Sequence, residues 1–108
     1  MRVPDIDALA AEIGEWASET FVGRPPVGIV EHLGREVAEL RQALEADEPI
    51  AEEVADVLIL TLNLADRFGL CPSAIVSAKM TKNRQRVWAP PDAAGVCEHV
   101  RGCEEETK

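Results

Sequence analysis

Apolar positions recur at intervals of three and four residues in four stretches of this chain, and the breaks between them carry glycine and proline. The first stretch predicts a helix over roughly Asp5 to Phe21, with Pro4 and Asp5 as start signals. Ile6, Leu9, Ile13, Trp16 and Ala17 form its apolar stripe, in which Trp16 is expected as core rather than as a stacking platform. Val22–Val27, with Gly23, Pro25 and Pro26, reads as a loop. The second helix is expected over Gly28 to Ala46, where Val30, Leu33, Val37, Leu40 and Leu44 step by 3, 4, 3 and 4, the spacing of a bundle seam.

Asp47, Glu48 and Pro49 form a short connection. Asp47 or Glu48 is expected to cap the third helix, with Pro49 in its first turn. That helix, from Pro49 to Phe68, is apolar around nearly its whole circumference, which predicts burial on most sides, one of them a subunit interface. Gly69 is placed to end it. A fourth helix is expected from Pro72, capped by Cys71 or Ser73, to Val87, where Ala89-Pro90-Pro91 stops it. No period-two strand pattern appears. The fold class is therefore all-α, a four-helix bundle-like domain over residues 1–88, followed by an irregular C-terminal tail over 89–108 packed on the domain in part.

Composition narrows the class further. A length of 108 residues suits one domain, and an aromatic share of 4% with no Tyr argues against a β-sandwich or barrel. Acids outnumber bases 20 to 11, for a net charge of −9, and such a surface repels nucleic-acid phosphates. The longest uncharged run, Phe68–Ala78, has eleven residues, against about 20 for a membrane span. Three cysteines without framework spacing and a charged N-terminus unlike a signal peptide predict reduced thiols and a cytoplasmic protein. Cys97-x-His99-x-x-x-Cys103 lacks a fourth ligand for zinc and is not read as a metal site.

The charge is unevenly spread. Residues 1–56 hold 14 acids and 4 bases, whereas residues 57–108 hold 6 acids and 7 bases. On the second helix, His32, Glu36 and Glu39 fall within about 60° of one another beside the seam. On the third, Glu53, Asp56, Leu60 and Asn63 do the same. If these helices are antiparallel neighbours, four carboxylates converge near an apolar seam and need a neutralising partner. A hard divalent cation with oxygen ligands serves, and Mg²⁺ favours a few carboxylates plus substrate phosphates. The same spacing also describes an ordinary solvated glutamate face.

Downstream, Lys79, Asn83 and Arg86 share a helix face with Lys82 close by, a set suited either to triphosphate oxygens or to a solvated basic helix end. Asn63 lies in the uncharged stretch Val57–Ala65, where a buried amide needs partners: metal shell, sugar, base or a neighbouring helix. His32 is read as supporting the carboxylates, contacting the base or lying at the surface. Trp88 is read as closing over a base or anchoring the tail.

Glu36-x-x-Glu39, thirteen residues, then Glu53-x-x-Asp56 resembles the E-x-x-E…E-x-x-D signature of the MazG-like all-α nucleoside triphosphate pyrophosphohydrolases. The flanks Glu-Val-Ala-Glu-Leu at 36–40 and Glu-Glu-Val-Ala-Asp-Val-Leu at 52–58 match as well, and Lys79-x-x-x-Asn83-x-x-Arg86-x-Trp88 is similar to the family's downstream stretch. His32, Arg86-Val87-Trp88 and Glu98-His99-Val100 point to the phage and prophage dATP/dGTP pyrophosphohydrolase-type branch. Together the matches span roughly residues 13–100.

The resemblance implies hydrolysis of a (deoxy)nucleoside triphosphate, dATP or dGTP in that branch, to monophosphate and pyrophosphate. It implies Mg²⁺, with Mn²⁺ as a substitute, on Glu36, Glu39, Glu53 and Asp56. Glu39 is the expected handler of the attacking water. His32, Asn63, Lys79, Lys82, Asn83, Arg86 and Trp88 are the expected substrate contacts, and a homodimer or homotetramer is the expected assembly. Arg35 stands where some branches carry a further acid, which leaves the number of metals open. The competing expectation is a non-catalytic acidic helical module for oligomerisation or regulation.

Overall fold

In a computed structural model, which describes residues 3–101, four α-helices follow one another: α1 (Ile6–Thr20), α2 (Pro26–Glu45), α3 (Ala51–Arg67) and α4 (Pro72–Arg84). The described residues contain no strand, only an isolated antiparallel bridge between Trp88 and His99. The chain divides into two compact units, one ending at Ser73 and one beginning at Ala74.

In the first unit, α3 packs against both α1 and α2. Ala10 and Ile13 of α1 meet Leu62 of α3, with Ile59 packed beside them. Gly14 lets α1 and α3 approach closely, since a Cβ at that position would overlap the Asp66 carboxyl group. Ile29 of α2 is 1% exposed and is the largest fully buried side chain among the described residues.

The helix ends follow local chemistry. Asp5 caps α1 as predicted, its carboxylate accepting from the Ala8 N–H at 2.8 Å. Helix α2 begins two residues before the expected Gly28, because Pro26 fits the first turn, where its missing N–H leaves no bond unmade. Gly69 ends α3 in the left-handed conformation (φ +67°), with the Leu70 N–H donating to the Ala65 carbonyl.

The connection before α3 differs from expectation. Asp47, not glycine, takes the left-handed position (φ +58°) after α2, and the Glu48 N–H returns to the Ala43 carbonyl. Asp47 therefore closes α2 instead of capping α3, which begins at Ala51 after Ile50 with no side-chain cap. Helix α4 stops at Arg84, three residues before the expected Val87. Asp7, rather than Cys71 or Ser73, is the acceptor at its start: the Asp7 carboxylate of α1 accepts from both the Ser73 N–H and its hydroxyl.

The predicted seam on α2 is rotated. Val30, Val37 and Leu44 are exposed, while Ile29 and Ala43 are buried and Leu33, Glu36 and Leu40 half-buried. Helix α2 thus carries two apolar stripes offset by about 80°, and the one with the more regular heptad spacing points outward. Helix α3 is not buried on all sides either, since Val54, Leu58 and Phe68 are exposed. Trp16 is corrected from core to surface: it is 51% exposed, with its ring edge-on to Phe21 at 5.3 Å.

The second unit holds the remainder of α4 and the chain to Arg101. After α4 the chain doubles back: the Ala89 N–H donates to Glu98, and the Val100 N–H to Val87. A turn at Asp92 reverses it, the Asp92 carboxylate accepting from the Ala94 and Val96 N–H groups at 2.9 Å each. The stretch expected as an irregular tail is non-helical through Arg101, whereas Cys103 and Glu104–Glu106 lie outside the described residues.

Candidate active site

The inward face of α2 carries His32 and Glu36 one turn apart. The His32 Nε2 lies 3.1 Å from the Glu36 Oε1, and the Glu36 side chain is only 16% exposed. From the loop before α2, Arg24 brings its Nη1 to 3.4 Å from the His32 Nδ1. A guanidinium can only donate, so in this contact Nδ1 is the acceptor, and Nε2 is the ring nitrogen that faces Glu36. The order Arg24–His32–Glu36 fixes which way the Glu36 carboxylate faces.

Glu39 lies one turn further on. A side-chain hydrogen bond with Glu36, together with repulsion between the two charges, pushes its carboxyl above the usual range. Two acidic groups share a hydrogen bond only by holding a proton between them, and a cation relieves the same repulsion. Across the helix pair, α3 presents Glu53, half-buried, and Asp56, exposed. The four carboxylates do not form a ready-made cage: among the described residues, no three His, Cys, Asp or Glu side chains gather closely enough to hold an ion.

Asn63 continues the row on α3. It is 2% exposed, the only buried polar residue among those described, and its Oδ1 has no hydrogen-bond partner. The alternative of a bond to a neighbouring helix is not realised at that atom. Asn63 lines a cleft of about 340 Å³ together with Phe21, Arg24 and Arg67. The Arg24 guanidinium lies 4.2 Å from the Phe21 ring centre, and the Arg67 Nη1 donates to the Arg24 carbonyl at 2.8 Å. The pattern of α3 could have flagged Arg67, since Glu53, Asp56, Leu60, Asn63 and Arg67 step by 3, 4, 3 and 4. Arg24 carried no such signal, because it lies in a proline-flanked loop with no periodicity.

In the second unit, Arg86 and Lys82 lie near Lys79, although α4 ends at Arg84 and Arg86 stands beyond it rather than on the expected helix face. The charges of Arg86 and then Lys82, with burial between them in weight, pull the Lys79 ammonium below its usual range. Asn83 is half-buried with an unpartnered Oδ1. Trp88 donates its indole N–H to the Asn83 carbonyl at 2.9 Å and lies edge-on to His99 at 5.9 Å. The indole therefore ties the returning chain to the end of α4.

With this geometry in hand, similarity to characterised proteins is informative. Residues 9–106 match the family model for dATP/dGTP pyrophosphohydrolase. A dATP/dGTP diphosphohydrolase of cyanophage S-2L is 39% identical over 94 residues, 87% of each chain. One from Salmonella phage PMBT28 is 40% identical over 76 residues, 70% of this chain and 25% of that longer protein. Among solved structures, the cyanophage S-2L MazG-like pyrophosphohydrolase superposes with a TM-score of 0.76 at 34% identity, over 92% of this chain and all of the other. That structure is bound to dGDP and three catalytic Mn²⁺ ions per active site. The alternative of a non-catalytic helical module is thereby overturned in favour of a hydrolase. The chain belongs to the dATP/dGTP pyrophosphohydrolase family, on the MazG-like all-α fold.

Proposed function

We propose that this protein hydrolyses dATP and dGTP to the monophosphate and pyrophosphate in the presence of Mg²⁺, for which Mn²⁺ substitutes. The observation that carries the reading is the Glu36–Glu39 carboxyl pair, in which Glu36 is bonded to His32 and a hydrogen bond with Glu36 and repulsion from it raise the Glu39 carboxyl. An all-oxygen donor set of this kind fits a hard divalent cation, and the S-2L relative binds a diphosphate nucleotide with three Mn²⁺ ions. Glu36, Glu39, Glu53 and Asp56 would hold the metal. When bound, a divalent cation supplies polarisation of the phosphoryl oxygens and offsets the charge that develops on them.

The chain's own residues do the rest. Glu39 takes the proton of the attacking water, a role open to a carboxylate beside the metal. Water adds to phosphorus, the α–β anhydride bond breaks, and the electron pair leaves on the pyrophosphate oxygen. Lys79, Lys82, Asn83 and Arg86 hold phosphate oxygens, the lysines as point charges and Arg86 as a fork. Lys79, already crowded by two cations, gains most from an anion in their midst. Trp88 braces that basic face through Asn83. The protein works in the cytoplasm as a homodimer or homotetramer, consistent with the apolar stripes that one copy leaves exposed on α2 and α3.

The test is pyrophosphate release from a panel of dNTPs and NTPs with Mg²⁺ or Mn²⁺. Turnover of dATP and dGTP is expected, and Glu53→Gln or Asp56→Asn should reduce it to background with helical content intact. A folded wild-type protein inert on the whole panel would overturn the reading.

A further inference from the structure

Helix α2 starts without a side-chain cap of its own. Pro25 and Pro26 lead into it with no N–H to donate and with φ fixed by their rings, and Gly23 before them is left-handed (φ +80°). The segment is stiff, and a residue from another helix holds it. Arg67, the last residue of α3, donates from its Nη1 to the Arg24 carbonyl at 2.8 Å. From that anchored backbone the Arg24 side chain runs along the first turn of α2. It passes over Gly28, where a Cβ would stand 3.1 Å from the Arg24 Cγ, and its guanidinium packs against the Phe21 ring. It ends at His32, one turn beyond Gly28, and the His32 ring faces Glu36.

The place of Arg67 on α3 gives this path a purpose. Arg67 lies eleven residues beyond Asp56, about 16 Å along the helix and within about 20° around it. One helix thus carries Glu53 and Asp56 towards one end and, at the other, the group that holds the lead into α2. The path Arg67–Arg24–His32–Glu36 joins the two carboxylate pairs, so that α3 sets two carboxylates directly and a third through the brace. The contact between Arg24 and His32, at 3.4 Å, has little reach to spare. A shift of the Arg24 backbone would break it.

Resting on the proposed metal chemistry, we infer that Arg67 is a positioning residue for the Glu36 carboxylate, acting through the Arg24 backbone and the His32 ring. Its charge alone would act the other way: a fixed cation opposes a bound cation, so its removal should tighten metal binding. Lost orientation weakens binding instead, since the groups that hold a ligating carboxylate are typically worth about ten- to a hundredfold in affinity. The two effects differ in sign.

Mn²⁺ binding without nucleotide, read from the electron paramagnetic resonance of the free ion, tests this. Arg67→Met should weaken it by about tenfold, and Arg67→Lys, which keeps a donor for the Arg24 carbonyl, should restore most of the affinity. Gly69→Ala strains the same helix end without reaching Arg24 and should leave the affinity unchanged. Unchanged or tighter binding in Arg67→Met, or an equal loss in Gly69→Ala, would overturn the inference. Arg67→Met combined with Arg24→Met should cost no more than Arg24→Met alone, because without the guanidinium the placement of its backbone no longer matters to His32. Additive losses would refute the route. If Arg67→Met does not fold, Arg24→Met, which removes the next link, should show the same loss, and wild-type affinity there would sink the brace. A wild type that binds no Mn²⁺ would overturn the metal reading rather than the brace. The brace is then judged on the metal-free protein, where the His32 ring-nitrogen resonances should move in Arg67→Met and not in Gly69→Ala. Resonances that stay in place in Arg67→Met would rule it out.

Discussion

Arg24, His32 and Glu36 form a row in which each side chain constrains the next. His32 could have been a surface residue on sequence grounds. What makes it a positioning residue is Arg24, eight positions earlier and across a proline-bounded turn, which meets Nδ1 while Nε2 faces Glu36. Asp7 shows the same dependence on a distant partner. Its carboxylate sits below the usual carboxylate range because it accepts from the Ser73 hydroxyl and backbone N–H, and weakly from Cys71. A lowered folded-state pKa contributes stability that is present above the unfolded carboxylate range and lost as pH falls through the lowered value. Asp7→Asn is therefore expected to reduce the melting temperature at neutral pH, and the difference from wild type should shrink as pH falls below that range. Equal differences at neutral and strongly acidic pH would show that the charge is not what matters.

At the scale of elements, helix ends were largely legible because capping is local. Asp5 and Gly69 behave as their residue types require. The connection at Asp47 was misread because Asp serves both as an N-cap and, less readily, as a left-handed residue, and local sequence does not rank the two. This gives a pair of substitutions with opposite signs. Gly69→Ala forces a Cβ into a left-handed position and should destabilise by about 1 kcal/mol, whereas Asp47→Gly relieves that strain and should stabilise by a few tenths to about 1 kcal/mol. Urea unfolding of both variants measures them, and a destabilising Asp47→Gly would mean that the side chain does something at that turn besides tolerating it. The α2 seam was misread for a different reason. Two apolar stripes lie on one helix, and periodicity registers a stripe without saying which neighbour covers it.

For the whole molecule, the outward stripes are the main residue of unexplained apolar surface. Val30, Val37 and Leu44 on α2 and Val54, Leu58 and Phe68 on α3 are each between 37% and 62% exposed, more than a monomer of this size ordinarily leaves in rows. Under the proposed dimer or tetramer these rows are buried between copies. Val37→Glu and Leu58→Glu should each shift the sedimentation profile toward monomer and lower the melting temperature. Retention of the wild-type mass by both would place the interface elsewhere.

The sequence by itself determined the helices, their order and the two carboxylate pairs, because each depends on residues within a turn or two of one another. It also determined the family, through a signature whose spacing is set by helix geometry. It could place Asn63 in an apolar stretch but not say what the amide would meet. That was decided by tertiary structure, which brought Arg24 from a loop and Arg67 from the end of α3 to the same cleft. Tertiary structure also chose which stripe of α2 faces inward. Periodicity is a property of one helix, whereas burial is a property of a pair, and only packing supplies the second member.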